Sequence, residues 1–136
     1  MAFTGNYTCN VFKSGLLTAN FNFSSGTFYI ALYTNSATLD DTTTAYTTNG
    51  EVVDAGYTAG GNVLTPTVGS SNGVSYVTFA NTSWSGAITA RGALIYKPGA
   101  DGAVCVLDFG SDKTSTTTFT VTFPVASATD ALIRLS

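Results

Sequence analysis

The sequence predicts an all-β domain, an antiparallel β-sandwich or jelly-roll-like fold with at most one short N-terminal helix, and three observations carry that expectation. Over residues 117–123, Thr117, Phe119, Val121 and Phe123 alternate strictly with Thr118, Thr120 and Thr122. That period of two turns aromatics toward a core and hydroxyls toward water, as a half-buried strand requires. The run Pro98-Gly99-Ala100-Asp101-Gly102 separates two apolar segments, residues 91–97 and 103–109. Proline presets one turn dihedral and glycine tolerates positive φ, so the pair reads as a β-hairpin with a five-residue loop. Finally, short apolar runs separated by Gly, Asn and Ser recur along most of the chain, a spacing typical of two-layer β architectures.

The elements follow in order. Asn10 to Leu17 is the one helical segment: Asn10 can cap it, Phe12 and Leu16 share a face, and Gly15 weakens it. Residues 27–34 form a strand with Phe28, Ile30 and Leu32 on one face and Tyr29, Ala31 and Tyr33 on the other. Both faces are apolar or aromatic, so this strand is expected at the centre of a sheet, covered on both sides. Residues 74–80 form another strand, and residues 131–135 a final one. Residues 51–53 and 62–66 are weaker candidates, and their length and Pro66 place them at edges. Trp84 falls between strands, either as a lid on the core or as an anchor for a partner. Residues 35–49, with Asp40-Asp41-Thr42-Thr43-Thr44, are too polar for a core strand and are expected to form a long surface excursion of the kind that carries contacts.

The 136 residues suit a single domain. Residues 1–26 form an N-terminal arm with the helix and residues 27–136 the sandwich. Size scaling gives a folded surface of roughly 6,700 Å², with about two thirds of the unfolded chain's surface buried, enough for an independent core. Only 10% of residues are charged against 44% hydrophobic, so Thr, Ser, Asn and Gly must cover the surface. Such a surface offers little charge repulsion between neighbours and suits life inside an assembly; a stable extracellular monomer is the alternative.

The net charge of −3 and five dispersed basic residues, Lys13, Arg91, Lys97, Lys113 and Arg134, argue against nucleic acid as a partner, because phosphate binding needs a basic cluster. No apolar run approaches a membrane span, so no membrane partner is expected. The first residues lack a basic segment followed by an apolar stretch, so no signal peptide is expected. The protein is expected to be made in a cytoplasm and to stay there or leave by lysis. Cys9 and Cys105 lie far apart in sequence; a buried free thiol is the expected state of Cys105, with one long-range bridge as the alternative.

Catalytic equipment is hard to assemble from this chain. Histidine is absent, which removes Ser-His-Asp and Cys-His arrangements and imidazole zinc sites. No phosphate-binding glycine loop precedes a helix. The remaining acidic groupings are Asp40-Asp41, Glu51 with Asp54, and Asp108 with Asp112. They read as solvated loop carboxylates, with a glycosidase pair or a weak calcium site at Asp108 and Asp112 as the alternatives. Asp108-Phe109-Gly110 matches a kinase signature by letters only, since no accompanying motif is present. The sequence therefore assigns no catalytic, cofactor-binding or metal-ligating residue and predicts a protein that is not an enzyme and needs no cofactor.

Several stretches together carry a resemblance: Phe12-Lys13-Ser14-Gly15-Leu16-Leu17, Ile30-Ala31-Leu32-Tyr33-Thr34 with Ala37-Thr38-Leu39, Gly56-Tyr57-Thr58-Ala59-Gly60-Gly61, and Thr89-Ala90-Arg91-Gly92-Ala93-Leu94-Ile95-Tyr96. In this order they resemble small virion structural proteins of tailed bacteriophages, including cyanophages and phages of marine bacteria. The resemblance implies a place in the virion. Among virion positions, the low charge, the expected lack of a signal peptide, the Thr-rich strand faces and the long excursion over residues 35–49 fit a head decoration (cement) protein best, whose partners would be the major capsid protein or other virion proteins. It would act as a homo-oligomer, a trimer being one arrangement. A tail, baseplate or fibre component is the alternative position. A carbohydrate-binding or adhesive β-sandwich module is the alternative class; it would call for a row of exposed Trp or Tyr rings.

Overall fold

The structure, a computed structural model, describes residues 3–136. It is all-β apart from one helix. The strands are β1 (Tyr7–Thr8), β2 (Phe28–Tyr33), β3 (Asn62–Leu64), β4 (Pro66–Ser71), β5 (Val74–Phe79), β6 (Thr82–Ser85), β7 (Thr89–Tyr96), β8 (Ala103–Thr114), β9 (Thr118–Val121) and β10 (Ile133–Leu135), with α1 (Asn10–Leu17) between β1 and β2. All pairings are antiparallel. The main sheet runs β1-β8-β7-β2-β3; a second has the order β10-β5-β4, and β6 pairs with β9 as a separate ribbon. The accessible surface is 6777 Å², close to the value expected for a compact chain of this length.

β2 sits between β7 and β3, as its two apolar faces require. Its Phe28 face meets an aromatic cluster. Phe23 stacks on Phe28 at 4.4 Å, Phe12 of the helix packs edge-on against Phe21 and Phe23, and Phe79 of β5 links Phe23 to Phe123. The opposite face, Tyr29, Ala31 and Tyr33, is covered by the connection between β2 and β3. Tyr46 stacks on Tyr96, Thr47 O accepts from the Tyr33 hydroxyl at 2.7 Å, and Thr44 O accepts from Ala103 N at 3.1 Å. Residues 35–49 were expected to be a surface excursion only. Instead Ala37 and Leu39 are buried, so this segment is the second cover of the sheet with its hydroxyls turned outward.

Other expectations change in detail. The helix has the expected bounds, but its N-cap is Cys9, with no side-chain cap, rather than Asn10. Residues 62–66 form no single strand: the chain leaves the main sheet after β3 and enters the second sheet at Pro66, so β3 and β4 are edges of different sheets. Proline is tolerated there as the first residue of an edge strand. Trp84 does not lie between strands; it belongs to β6, is 5% exposed, and faces inward opposite Phe119. In β9, Phe119 and Val121 are buried while Thr118 and Thr120 face solvent, which is the alternation read from sequence.

Candidate functional site

Two surfaces stand out, on opposite sides of the main sheet. The first is an apolar groove on the Phe28 side. The i,i+4 spacing puts Phe12 and Leu16 on one face of α1. Antiparallel register aligns Val68 of β4, Val77 of β5 and Ile133 of β10 in one cross-strand row. Between them lies a cleft of about 100 Å³ also lined by Phe23 and Leu135, with no charged side chain. Val68 is 53% exposed and Leu135 52%, and Leu17 at the end of the helix is 90% exposed.

The second surface is built around Glu51, the one glutamate of the chain. Glu51 was expected to be a solvated loop carboxylate; it is 7% exposed. The Tyr46 hydroxyl donates to its Oε1 at 2.6 Å, and the Tyr57 hydroxyl and Gly60 N donate to Oε2 at 2.6 and 2.8 Å. Tyr57 in turn accepts from Leu32 N of the central strand at 3.0 Å. The Tyr96 hydroxyl donates to Gly60 O at 2.7 Å. The carboxylate thus ties the covering segment to the sheet through neutral donors, and no nucleophile or second carboxylate meets it there.

Tyr46, Tyr96 and Tyr29 form a continuous stack, with ring centroids 4.8 and 5.7 Å apart and rings within 23° of parallel. The Tyr29–Tyr96 step follows from register, since the two residues are direct cross-strand partners in β2 and β7. All three rings line a cleft of about 490 Å³ with Pro98, Gly99 and Gly61.

Burial and the Glu51 carboxylate both raise the tyrosine pKa values. Tyr96 is pushed up to about 12, by burial first and Glu51 second. Tyr33, Tyr46 and Tyr57 are raised further, each by burial first. The unfolded chain would ionise its tyrosines near pH 10, so the folded state gives up stability as pH rises above that value and keeps it below. Thermal unfolding scans are expected to show a flat melting temperature between pH 7 and about 8, a decline from about pH 8.5 as the unfolded chain's thiols ionise while the buried Cys9 and Cys105 stay neutral, and a steep fall between about pH 10 and 12. A melting temperature unchanged at pH 11 would contradict the buried tyrosine network.

The other sequence candidates are engaged separately. Asp40 accepts from both the hydroxyl and the backbone N of Thr42, which lowers its pKa. Asp54 accepts from Thr89 N at 2.9 Å. Asp108 pairs with Arg91 across a bulge in which residues 109–112 stand opposite Arg91 alone, while Asp112 accepts from Asn35 at 3.2 Å. Among the described residues, no group of three or more His, Cys, Asp or Glu side chains could hold a metal ion.

Cys9 and Cys105 are buried free thiols. Thr8 lies directly opposite Cys105, so Cys9, extended and next along the chain, points to the other face of the sheet; its sulfur lies 4.0 Å from Asp40 O. Burial raises both thiols, Cys9 to about 12.

The chain matches no protein-family model, no curated protein and no solved structure.

Proposed function

We propose that this protein is a non-enzymatic structural module of a tailed-phage virion, docking on the assembled head and stabilising contacts between capsid subunits. The observation that carries this reading is the exposed apolar groove formed by α1, β4, β5 and β10. The groove sets half-exposed Val68 and Leu135 beside buried Phe12 and Val77 with no charge among them, which gives a small apolar seat for side chains of a partner. The rest of the surface supports the same reading. The outer side of the β6–β9 ribbon presents Ser83 beside Thr120 and Ser85 beside Thr118, all exposed hydroxyls. Such uncharged faces allow close approach of neighbouring subunits without charge repulsion. A small domain that binds only the assembled lattice stabilises it by mass action, and many weak contacts add when the subunits are already held together.

Co-sedimentation of the purified chain with tail-free heads tests this. Heads are expected to bind the chain, whereas isolated capsid subunits are not. Val68→Asp and Leu135→Asp each bury a charge in the contact and are expected to weaken binding at least about tenfold. Both positions are half exposed, so folding tolerates the change. Binding that is unaffected by both substitutions would remove the groove from the contact, and no binding to heads would remove the reading.

A further inference from the structure

We infer that the tyrosine-lined cleft on the Tyr29 face of the main sheet is a binding site for a neutral sugar ring. The site is independent of the apolar groove. Phe28 and Tyr29 are successive residues of β2 and point to opposite faces, so the two surfaces lie on opposite sides of the sheet.

Four features of the cleft fit this class of ligand. Its volume, about 490 Å³, falls in the range of small-molecule sites, which combine aromatic walls with a few polar groups. A pyranose carries C–H groups on its faces and hydroxyls around its rim, and so matches that combination. Tyr96 is the middle ring of the stack, which leaves Tyr29 and Tyr46 each with a ring face that Tyr96 does not cover. The Tyr29 hydroxyl has no hydrogen-bond partner among the described residues, and a phenol can both donate and accept. Gly99 also borders the cleft with nothing within 4 Å of where a Cβ would stand, so its peptide groups can approach a ligand's hydroxyls closely, while Gly60 and Gly61 bond within the fold and shape the wall.

The walls are held before any ligand arrives. Glu51 fixes Tyr46, and Gly60 O fixes Tyr96, so little ordering cost falls on binding.

Charge decides against other ligands. No charged side chain lines the cleft. The nearby Lys97 ammonium is bound to Asn20 O and to Asn20 Oδ1 at 3.0 Å, and it sits over the Phe21 ring. A phosphorylated or acidic ligand would find no partner. A proline-rich peptide needs a groove that follows an extended helix over several residues, whereas this cleft is walled by two compact turns, residues 59–61 and 98–100.

Amide chemical-shift titration of the full chain is the test. The probes are methyl α-mannoside, methyl β-galactoside and N-acetylglucosamine, with galacturonate as the charged control and a proline decapeptide as the peptide arm. At least one neutral sugar is expected to shift the Gly60, Gly61 and Gly99 amides, and galacturonate is expected to shift them less. Tyr29→Ala is expected to weaken binding roughly tenfold through the lost ring, and Leu135→Asp to leave it unchanged. Tyr29→Leu keeps apolar bulk on the strand and is expected to show the same loss, so it serves if the alanine variant does not give a folded spectrum. The inference fails if no neutral sugar moves these amides, if only the proline peptide does, or if a folded variant lacking the Tyr29 ring binds as well as the parent.

Discussion

Glu51→Ala is expected to destabilise the fold by about 3–5 kcal/mol, because it strands buried donors that now share one carboxylate. Three donors lose their acceptor together: the hydroxyls of Tyr46 and Tyr57 and the backbone N of Gly60. The loss spreads because Tyr57 also accepts from Leu32 N in the central strand, and Gly60 O holds Tyr96. Glu51→Gln is expected to cost about 1 kcal/mol or less, since its carbonyl still accepts from Tyr57 and Gly60 while its amide can donate to a reversed Tyr46 hydroxyl. Urea unfolding measures both. A Glu51→Ala cost no larger than that of Glu51→Gln would show that the carboxylate does not hold the cover to the sheet.

The second large effect is expected at Gly61. Its φ is +79°, and an added Cβ would overlap the carbonyl oxygen of Ile30 and stand 2.6 Å from the carbonyl carbon. Those are backbone atoms of the central strand and cannot move aside without breaking the β2–β3 pairing, which begins at Ile30 and Asn62. Gly61→Ala is therefore expected to cost more than about 4 kcal/mol, a backbone clash added to a left-handed conformation. Gly60 is the control. It also has positive φ, but an added Cβ meets only the Tyr96 hydroxyl at 3.6 Å, so Gly60→Ala is expected to cost about 1–2 kcal/mol. Melting curves of the two variants separate the clash from the dihedral; equal losses would mean that Gly61 does not lie against β2.

What the sequence disclosed tracks how local each signal is. The helix from Asn10 to Leu17, the Phe119–Val121 alternation and the hairpin between β7 and β8 depend on neighbours in the chain, and all three were legible. So was the central place of β2, because an apolar residue at every position leaves no face for water. The Asn72-Gly73 turn joining β4 to β5 was also written in the chain: both residues have positive φ, and Ser71 pairs with Val74, the arrangement that Asn-Gly favours in two-residue hairpins. It was missed because β4, Pro-Thr-Val-Gly-Ser-Ser, lacks the apolar alternation that marks a strand. The covering segment was harder to read. Ala37, Leu39 and Val52 are buried without any regular spacing, amid hydroxyls that suggested a solvated loop. The Glu51 site was not legible although its donors Tyr46, Tyr57 and Gly60 lie close by in the chain, because the contacts that hold it against the sheet run from Tyr57 to β2 and from Gly60 to β7. Its faint trace was a lone glutamate flanked by tyrosines. Trp84 sat among Ser and Thr residues without an apolar alternation, which left a lid on the core and a partner anchor both open; the pairing of β6 with β9 turns its ring inward.

The proposed role, stabilising an assembled phage head as one of many copies, is tested by the copy number of the chain in virions that carry it. Quantitative mass spectrometry of heads purified free of tails, referenced to the major capsid protein, gives that number. A stoichiometry that is a simple fraction or multiple of the capsid lattice is expected, together with earlier thermal rupture of heads stripped of the chain. Recovery of the chain in tails alone, or in a handful of copies per particle, would contradict it.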